Sequence, residues 1–247
     1  MTGFTYLQFH VAFLLFALLA LVPMVVVSRP RVAGRPVWEG NAYWGGVAVV
    51  TVVALAYTIP WDNYLIARGV WSYGEGRVAA RVALAPVEEY LFILVQPWLT
   101  ALWLSHLALP DWDDRPLRVR PRVVAGLLAA GVGVAGVALF LAGGPTLYLG
   151  AILAWAAPVL ALQWGVGAPQ LWAGRRTLAV GVGLPTLYLC VADRIALALG
   201  VWTLSPRYTT GIEVAGLPVE EGLFFLVTNL FVVQGLLLFR WVTDRWW

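Results

Sequence analysis

Seven long apolar runs divide this chain, and each is close to the length that an α-helix needs to cross a bilayer, about 20 residues. Hydrocarbon offers no partner to backbone polar groups, so a spanning segment has to satisfy them internally, as a helix does. The runs therefore predict an all-α, polytopic membrane protein with seven transmembrane helices. They cover roughly residues 4–27, 42–59, 87–107, 123–142, 146–164, 178–199 and 219–239.

The composition supports a membrane protein and argues against several other classes. Hydrophobic residues make up 61% of the chain and charged residues 12%, and the mean hydropathy is +0.81, which is outside the range of ordinary soluble domains. The net charge is only +3, and the arginines lie in loops, so nucleic acid is not expected as a partner. The one cysteine, Cys190, lies in an apolar run. We expect neither a metal nor a cofactor.

The arginines predict the orientation, because positively charged loops tend to stay in the cytoplasm. With seven spans, one side of the membrane holds 11 of the 16 arginines. That side includes the C-terminus, which predicts a multi-pass protein of the cell membrane with its N-terminus outside and its C-terminus in the cytoplasm. The arginines on this side are Arg29, Arg31, Arg35, Arg115, Arg118, Arg120, Arg122, Arg175, Arg176, Arg240 and Arg245.

An internal repeat organises the chain. The sequence Pro-Val-Glu-Glu occurs at 86–89 and at 218–221, and each copy opens an apolar run. Upstream, Asp62 and the Gly-Val-Trp of 69–71 match Asp193 and the Gly-Val-Trp of 200–202. We therefore predict three units: residues 1–110 as the first repeat with helices 1–3, residues 111–144 as a loop and linker helix 4, and residues 145–247 as the second repeat with helices 5–7.

The linker helix determines how the two repeats are oriented. Three spans alone would invert the second repeat, and a fourth, connecting span restores the direction of the first. The repeats are then parallel and related by an axis along the membrane normal. Both acidic motifs are expected at the same depth on the same side of the bilayer. The linker also contains Gly131, Gly133 and Gly136, a spacing typical of closely packed transmembrane helices rather than of a dinucleotide site.

The duplicated carboxylates are the candidate catalytic residues. Ionised groups at the edge of hydrocarbon are costly and usually functional, and adjacent acids can share a proton. Two simpler interpretations remain open at this point. The glutamates could be solvated helix caps, and the aspartates could pair with arginines such as Arg68, Arg81 or Arg194 instead of relaying protons. The candidates are Glu88, Glu89, Glu220, Glu221, Asp62 and Asp193.

Side chains below and beside the acids are candidates for a binding pocket. Helical spacing places them one or two turns after the glutamates, on nearly the same stripe. The Gly-Val-Trp loops add two tryptophans, whose ring faces could stabilise a cation. The predicted substrate-binding residues are Phe92, Gln96, Phe224, Thr228, Trp71 and Trp202.

These motifs resemble the membrane-integral lycopene cyclases in their fused, two-repeat form. The resemblance rests on the doubled Pro-Val-Glu-Glu, the segment Pro-Trp-Asp-Asn-Tyr at 60–64 and the loop Gly-Val-Trp-Ser-Tyr at 69–73. It implies a carotenoid cyclase that forms ionone-type rings at the ends of a linear polyene without net redox change. It also implies a lipophilic carotenoid and membrane lipid as partners, with a homo-oligomer or contacts with other carotenoid enzymes as further options.

On that reading a protonated glutamate, Glu88 or Glu220, gives its proton to the terminal double bond, and a second carboxylate removes a ring proton. The alternative is a proton-coupled membrane transporter, which also uses parallel repeats and intramembrane acids. The number of rings, the ring isomer, the carotenoid chain length and the assignment of acid and base stay open.

Overall fold

The computed structural model describes residues 4–28, 31–32, 35–36, 41–108 and 118–246, and this part of the chain is mostly helical. A π-helical segment, His10–Leu15, joins the first two helices into one continuous stretch, and a 3₁₀ turn, Gly144–Thr146, precedes the sixth. The helices are α1 (Tyr6–Phe9), α2 (Phe16–Ser28), α3 (Asn41–Ala67), α4 (Val87–Ser105), α5 (Val119–Ala142), α6 (Leu147–Ala173), α7 (Arg175–Ala198) and α8 (Val219–Trp246).

Four short antiparallel strand pairs accompany the helices, and the all-α prediction did not include them. The pairs are β1 with β2, β3 with β6, β4 with β5 and β7 with β8. Only β3 with β6 joins distant parts of the chain, while the others are hairpins. The strands are β1 (Arg31–Val32), β2 (Arg35–Pro36), β3 (Trp71–Tyr73), β4 (Arg81–Val82), β5 (Ala85–Pro86), β6 (Trp202–Leu204), β7 (Glu213–Val214) and β8 (Leu217–Pro218).

Length and composition make six helical stretches in the described residues capable of crossing a membrane. They correspond to six of the seven predicted spans. The remaining one, α4, falls outside this set because its 19 residues include two glutamates, a glutamine and a proline. The six are Tyr6–Met24, Ala42–Ala67, Val119–Ala142, Gly144–Ala173, Arg175–Ala198 and Val219–Thr243.

The second helix is longer than the sequence indicated. The predicted span ended at residue 59, just before Pro60, whereas α3 continues to Ala67 with Pro60 inside it. A proline in a helix interior removes one backbone hydrogen bond, and burial of the following turn offsets that loss, since Leu65 has no exposed surface. As a result Asp62 lies within the helix rather than at its end.

Small residues bring α5 and α6 into close contact. A β-carbon added at Gly133 would lie 2.7 Å from the β-carbon of Ala157, and one at Gly136 would collide with the backbone nitrogen of Ala154. On the facing helix, a β-carbon at Gly150 would collide with the backbone nitrogen of Phe140. These distances leave no room for a side chain, which confirms the packing interpretation of the glycine spacing in α5.

Equivalent backbone turns follow α3 and α7. The amide of Val70 donates to the carbonyl of Leu65, and the amide of Val201 donates to that of Ala196, at 3.0 Å in both cases. Gly69 and Gly200 precede these valines with φ of 71° and 63°, a conformation that glycine adopts without a steric penalty. Each turn therefore sends its chain into a strand, β3 or β6.

The strands β3 and β6 lie side by side and connect the two Gly-Val-Trp loops. Their antiparallel register pairs Trp71 with Leu204, Ser72 with Thr203 and Tyr73 with Trp202. This pairing places the segments that precede both Pro-Val-Glu-Glu motifs at one end of the helix bundle.

Each Pro-Val-Glu-Glu motif is preceded by a two-residue hairpin. The hairpins β4–β5 and β7–β8 each contain an alanine with positive φ, 55° at Ala83 and 52° at Ala215. The proline that ends each hairpin stands next to the first helical residue, Val87 or Val219. The glutamates thus lie in the first turns of α4 and α8, as predicted.

The buried core lies between the helices below this end. One cluster includes Val47, Leu104, Val233 and Leu237, and joins α3, α4 and α8. A second cluster, around Ile152, packs α6 against α3 and α8. These contacts fix the helices whose first turns hold the acids.

Candidate active site

One cavity brings together carboxyl groups from both Pro-Val-Glu-Glu motifs. Its cavity volume is about 70 Å³. Glu89 and Glu221 line it together with both predicted aspartates, Asp62 and Asp193. The remaining walls are mostly aromatic and aliphatic: Tyr6, Phe9, Trp61, Trp71, Phe92, Tyr148, Leu189, Ala192, Trp202, Leu204, Phe224 and Phe225.

Glu89 is held by two tyrosines. The hydroxyls of Tyr6 and Tyr73 donate to its Oε1 at 3.0 and 2.7 Å. The indole N–H of Trp71 donates in turn to the hydroxyl of Tyr73 at 2.9 Å. Tyr73 lies in β3 outside the helices, and burial, followed by the neighbouring Glu89, raises the pKa of Tyr73 well above its usual range. It therefore stays a protonated phenol and acts as a donor.

Glu221 has a simpler environment. The hydroxyl of Tyr148 donates to its Oε1 at 2.8 Å, which matches the bond from Tyr6 to Glu89. Trp202, the counterpart of Trp71, lines the cavity with Asp193. Leu204 occupies the position that matches Tyr73 and has no hydroxyl to donate.

Glu88 and Glu220 are buried but do not line the cavity. Glu88 accepts the amide of Ala79 at 2.8 Å, and Glu220 accepts that of Thr210 at 2.6 Å. They are 1% and 0% exposed, so they are not solvated helix caps. Glu88 and Glu220 therefore hold the loop that precedes each helix. Their neighbours Glu89 and Glu221 face the cavity.

The aspartates Asp62 and Asp193 are buried, with 5% and 2% of their surface exposed. One carboxylate oxygen of each, Oδ2, has no hydrogen-bond partner among the described residues. The arginines considered as ion-pair partners bind elsewhere: Arg81 and Arg194 donate to the backbone carbonyls of Leu84 and Ala215. The arrangement favours a role for the aspartates in the cavity over an ion pair with these arginines.

An aromatic wall stands beside Glu221. The ring of Trp61 stacks on Phe224 at 5.7 Å with an interplanar angle of 4°, and on Trp155 at 4.9 Å. Trp71 packs against Tyr148 at 5.5 Å. On the opposite side, Trp202 contacts Tyr6 at 4.8 Å and Phe9 at 5.3 Å. Aromatic faces of this kind stabilise a nearby cation.

An apolar groove adjoins the cavity. It has a volume of about 150 Å³ and lies between α3, α4, α6 and α8, and it shares Phe92 and Phe224 with the cavity. The predicted residues Gln96 and Thr228 also line it. Gln96 donates to Asn229 at 2.7 Å, so its amide is already paired. All six predicted substrate-binding residues thus lie on the cavity or on this groove.

A second groove occupies the equivalent place on the other side of the bundle. It has a volume of about 290 Å³ and lies between α2, α4 and α7. Several of its lining residues have counterparts in the first groove at the spacing of the repeat. Tyr188 and Leu189 lie 131 residues after Tyr57 and Thr58 of the first groove. Leu99 and Trp103 lie 132 residues before Phe231 and Gly235 of the first groove.

The site contains residues that the sequence analysis did not single out. Tyr6 and Tyr148 donate hydrogen bonds to the two cavity glutamates. Both tyrosines lie near the start of apolar runs that predict membrane spans but carry no motif. Each is followed by leucine near the start of the first or fifth helical stretch. That shared Tyr-Leu pair was the available signal, but two residues are too few to define a repeat.

Comparisons with known proteins agree with one another. A family model described as lycopene cyclase matches residues 6–107 and 145–239. A lycopene beta-cyclase of Halobacterium salinarum is 51% identical over 237 residues, which cover 95% of this chain and 98% of the relative.

Fungal relatives are longer. A bifunctional lycopene cyclase/phytoene synthase of Arthroderma gypseum is 34% identical over 209 residues, covering 77% of this chain and 35% of the relative. One from Phaeosphaeria nodorum is 36% identical over 208 residues, covering 78% and 35%. No solved structure gives a significant match.

Proposed function

We propose that this chain, which belongs to the lycopene cyclase family, closes a ring at the end of a linear polyene. The reacting end group lies between Glu89 and Glu221. The observation that carries this proposal is the cavity itself. It combines carboxyl groups from two distant motifs with aromatic walls, and it adjoins an apolar groove. Acid, base and a surface that tolerates a cation are the three requirements of a proton-initiated cyclisation.

The polyene chain lies in the groove between α3, α4, α6 and α8. Its end group passes between Phe92 and Phe224, the two residues common to groove and cavity. A long hydrocarbon partitions into the bilayer, and a groove between helices lets it enter sideways from lipid. The groove lining supports an apolar ligand, with Tyr57 tied to the carbonyl of Trp155 at 2.8 Å rather than turned to the substrate.

The reaction needs one proton delivered and one removed. A carboxylic acid protonates the terminal double bond and leaves a tertiary cation. The electron pair of the nearby internal double bond attacks that cation and closes a six-membered ring. A carboxylate then takes a proton from the ring, and the electron pair of the broken C–H bond forms the ring double bond. The product is an isomer of the substrate, so no redox partner is required.

Acids this close favour shared protons. Glu221 interacts electrostatically with Glu89, and Asp193 interacts with both. Repulsion between ionised carboxylates and their burial both favour keeping part of the set protonated. A proton is therefore held in the cavity, where aromatic walls exclude the water that would otherwise capture the cation.

The ring formed is proposed to be of the β type, because the Halobacterium relative is a lycopene beta-cyclase. This requires the base to reach the ring carbon that joins the ring to the polyene chain. The relatives give the transporter alternative no support, whereas the family match extends over both acidic motifs.

The proposed architecture is two parallel repeats and seven spans, with α4 as the third. Matched contacts support it: Tyr57 donates to Trp155 of the other half, and Tyr188 donates to Phe13 of the other half at 2.7 Å. The family match omits residues 108–144, which fits α5 as a linker. The proposed boundary between residues 110 and 111 lies outside the described residues.

We retain the proposed orientation in the cell membrane, with the N-terminus outside and the C-terminus in the cytoplasm. Arg68, Arg77, Arg81, Arg194 and Arg207 then belong to the outer side, at the end of the bundle that holds the cavity. Arg29 and Arg115, which contribute to the prediction, lie outside the described residues. Lipid contact is supported by exposed apolar side chains on α5, such as Leu127 and Leu141.

The test is pigment analysis in cells that accumulate lycopene. The wild-type chain is expected to convert lycopene to cyclic products, and the double variant Glu89→Gln/Glu221→Gln is expected to form none. The matched control is Glu75→Gln/Glu213→Gln, which removes one exposed glutamate from each half and should behave as wild type. Unchanged lycopene with the wild-type chain, or full conversion by the double variant, would contradict the proposal.

A further inference from the structure

We propose that the two halves have fixed and unequal roles, with Glu221 as the proton donor, Glu89 as the base and Tyr73 as the residue that positions the base. This inference rests on the proposed cyclase function. It goes beyond that function by assigning each glutamate one step of the reaction. Two independent observations carry it: the hydrogen-bond donors around each glutamate and the position of the aromatic wall.

The donors on Glu89 stabilise an ionised carboxylate. Tyr6 and Tyr73 both point to the same oxygen, Oε1, at 3.0 and 2.7 Å. Because the Trp71 indole N–H occupies an acceptor position on the Tyr73 oxygen at 2.9 Å, the Tyr73 proton is directed toward Glu89. An ionised carboxylate only accepts hydrogen bonds, and such charge-assisted bonds are stronger than neutral ones.

Tyr73 acts through Glu89 and does not line the cavity. It sits in β3, where its backbone pairs with Trp202 of the other half. The chain of donors therefore runs from Trp71 to Tyr73 to Glu89. Such a chain fixes the orientation of the carboxylate as well as its charge, which is what a base that selects one ring proton requires.

Glu221 lacks the second donor. Among the described residues, Tyr148 is the side chain that donates to it. The position that matches Tyr73 is Leu204, which has no hydroxyl to donate. With one tyrosine donor instead of two, Glu221 is less stabilised as an anion than Glu89. The proton shared among the four acids accordingly resides on the Glu221 side.

The aromatic wall lies on the same side. Phe224 follows Glu221 by three residues, one helical turn, as Phe92 follows Glu89, but Trp61 stacks on Phe224, at 5.7 Å. The residue that matches Trp61 in the second half is Ala192, so the Glu89 side lacks this stacked indole and has the smaller cluster of Tyr6, Phe9 and Trp202 instead. In the first step the cation forms on the carbon next to the one that receives the proton. The faces that stabilise it must therefore stand beside the acid.

The proton balance closes within the cavity. After ring closure Glu89 holds the proton taken from the ring, and Glu221 is ionised. Asp193 lines the same cavity as both glutamates, and we assign it the return of the proton from Glu89 to Glu221. One turnover then leaves every group as it began. Two C=C π bonds are consumed and one is formed, one C–C bond forms, and one C–H bond forms while a different C–H bond breaks.

Single variants separate the two roles. Glu221→Gln should lose all cyclic products, a fall of at least about 100-fold, because no cation forms without the acid. Glu89→Gln should retain slow cyclisation, and its rings should include isomers other than β, since the cation forms but loses a proton to another acceptor. Ring isomers differ in the length of the conjugated system, so chromatography with absorption spectra distinguishes them.

Tyr73→Phe tests the positioning role. It removes one charge-assisted hydrogen bond, and we expect cyclisation to slow by about 10-fold, with a rise in the same minor isomers that Glu89→Gln produces. Tyr64→Phe is the matched control: Tyr64 is 41% exposed, lies away from the cavity, and should leave both rate and isomers unchanged. A merely structural effect of Tyr73 would slow the reaction without changing the isomers.

The outcomes that overturn the assignment are specific. They are loss of all products in Glu89→Gln with altered isomers in Glu221→Gln, equal losses with unchanged isomers, or no isomer change in Tyr73→Phe. Folding is checked by the melting temperature of each variant in detergent. If Glu89→Gln does not fold, Glu89→Asp replaces it, and unchanged isomers there count against the proposal. If the wild type forms no ring, the proposed function itself fails.

Discussion

Glu89 and Glu221 begin equivalent helices and line the same cavity, yet their surroundings differ at two matched positions. Tyr73 supports Glu89 where the matching position of the second half is Leu204, and Trp61 stacks on Phe224 on the Glu221 side where the matching position is Ala192, which packs with Tyr6 and Phe9. The backbone turns, hairpins and loop contacts are the same in both halves. Similar backbone contacts thus recur before both glutamates, while the side chains at these two positions differ.

The shared scaffold depends on the glutamates that do not face the cavity. Glu220→Ala leaves the partly buried amide of Thr210 without its acceptor, and we expect a loss of about 1–3 kcal/mol in the free energy of unfolding. Glu88→Ala should cost a similar amount through Ala79, because the two contacts are equivalent. Thermal unfolding in detergent measures both.

The conservative variants Glu88→Gln and Glu220→Gln are the controls. Glutamine keeps an oxygen acceptor at the same place, so stability and ring formation should stay close to wild type. Loss of cyclisation in Glu220→Gln with an unchanged melting temperature would move that residue from the scaffold into the chemistry.

The role of the aromatic wall beside Glu221 is tested at Trp61. Trp61→Leu keeps an apolar side chain but removes the ring face, and we expect turnover to fall by about 10-fold, in line with a cation–π contribution of roughly 0.5–2 kcal/mol. Trp61→Phe keeps a ring and should lose much less. Rates of product formation in membranes provide the measurement, and equal losses in the two variants would argue against stabilisation of a cation.

The smallest effect is expected in the hairpins. Ala83 and Ala215 have positive φ, which costs an alanine roughly 1–2 kcal/mol. Glycine relieves that strain but loses more entropy on folding, about 0.5–1 kcal/mol, so Ala83→Gly and Ala215→Gly should each stabilise by no more than about 1 kcal/mol. Melting temperatures that move in opposite directions would show that the two hairpins are not equivalent.

Much of this arrangement could be predicted from the sequence, because the repeated motif identified the acids. Pro-Val-Glu-Glu and the matched aspartates led to Asp62, Asp193, Glu89 and Glu221, all of which line the cavity. The apolar runs gave the helices, and the glycines of α5 gave its contact with α6. Each of these signals is local or repeats at a constant spacing.

The rotation of the helices could not be predicted. Glu88 and Glu89 differ by about 100° around the helix axis, so either could face inward. The choice is made by the amide of Ala79, which captures Glu88 and leaves Glu89 to the cavity. The prediction of Glu88 or Glu220 as proton donor is therefore replaced by Glu221 in our proposal.

Contacts between distant segments were also beyond the sequence. Tyr6 reaches Glu89 across 83 residues, and β3 pairs with β6 across about 130. The end predicted for the second helix was wrong for a related reason, since tertiary burial carries α3 through Pro60 to Ala67. Local sequence patterns do not report the free energy of contacts between distant segments.

The most direct test of one site built by two halves is a disulfide between β3 and β6. Ser72 and Thr203 are paired in the strand register, with 3.2 Å between their hydroxyl oxygens, and facing residues of an antiparallel pair lie within the Cα distances that a disulfide accepts. In a Cys190→Ala background, Ser72→Cys/Thr203→Cys should form an intramolecular disulfide on mild oxidation and still cyclise lycopene. A folded, active double-cysteine protein whose thiols stay unlinked would contradict the account.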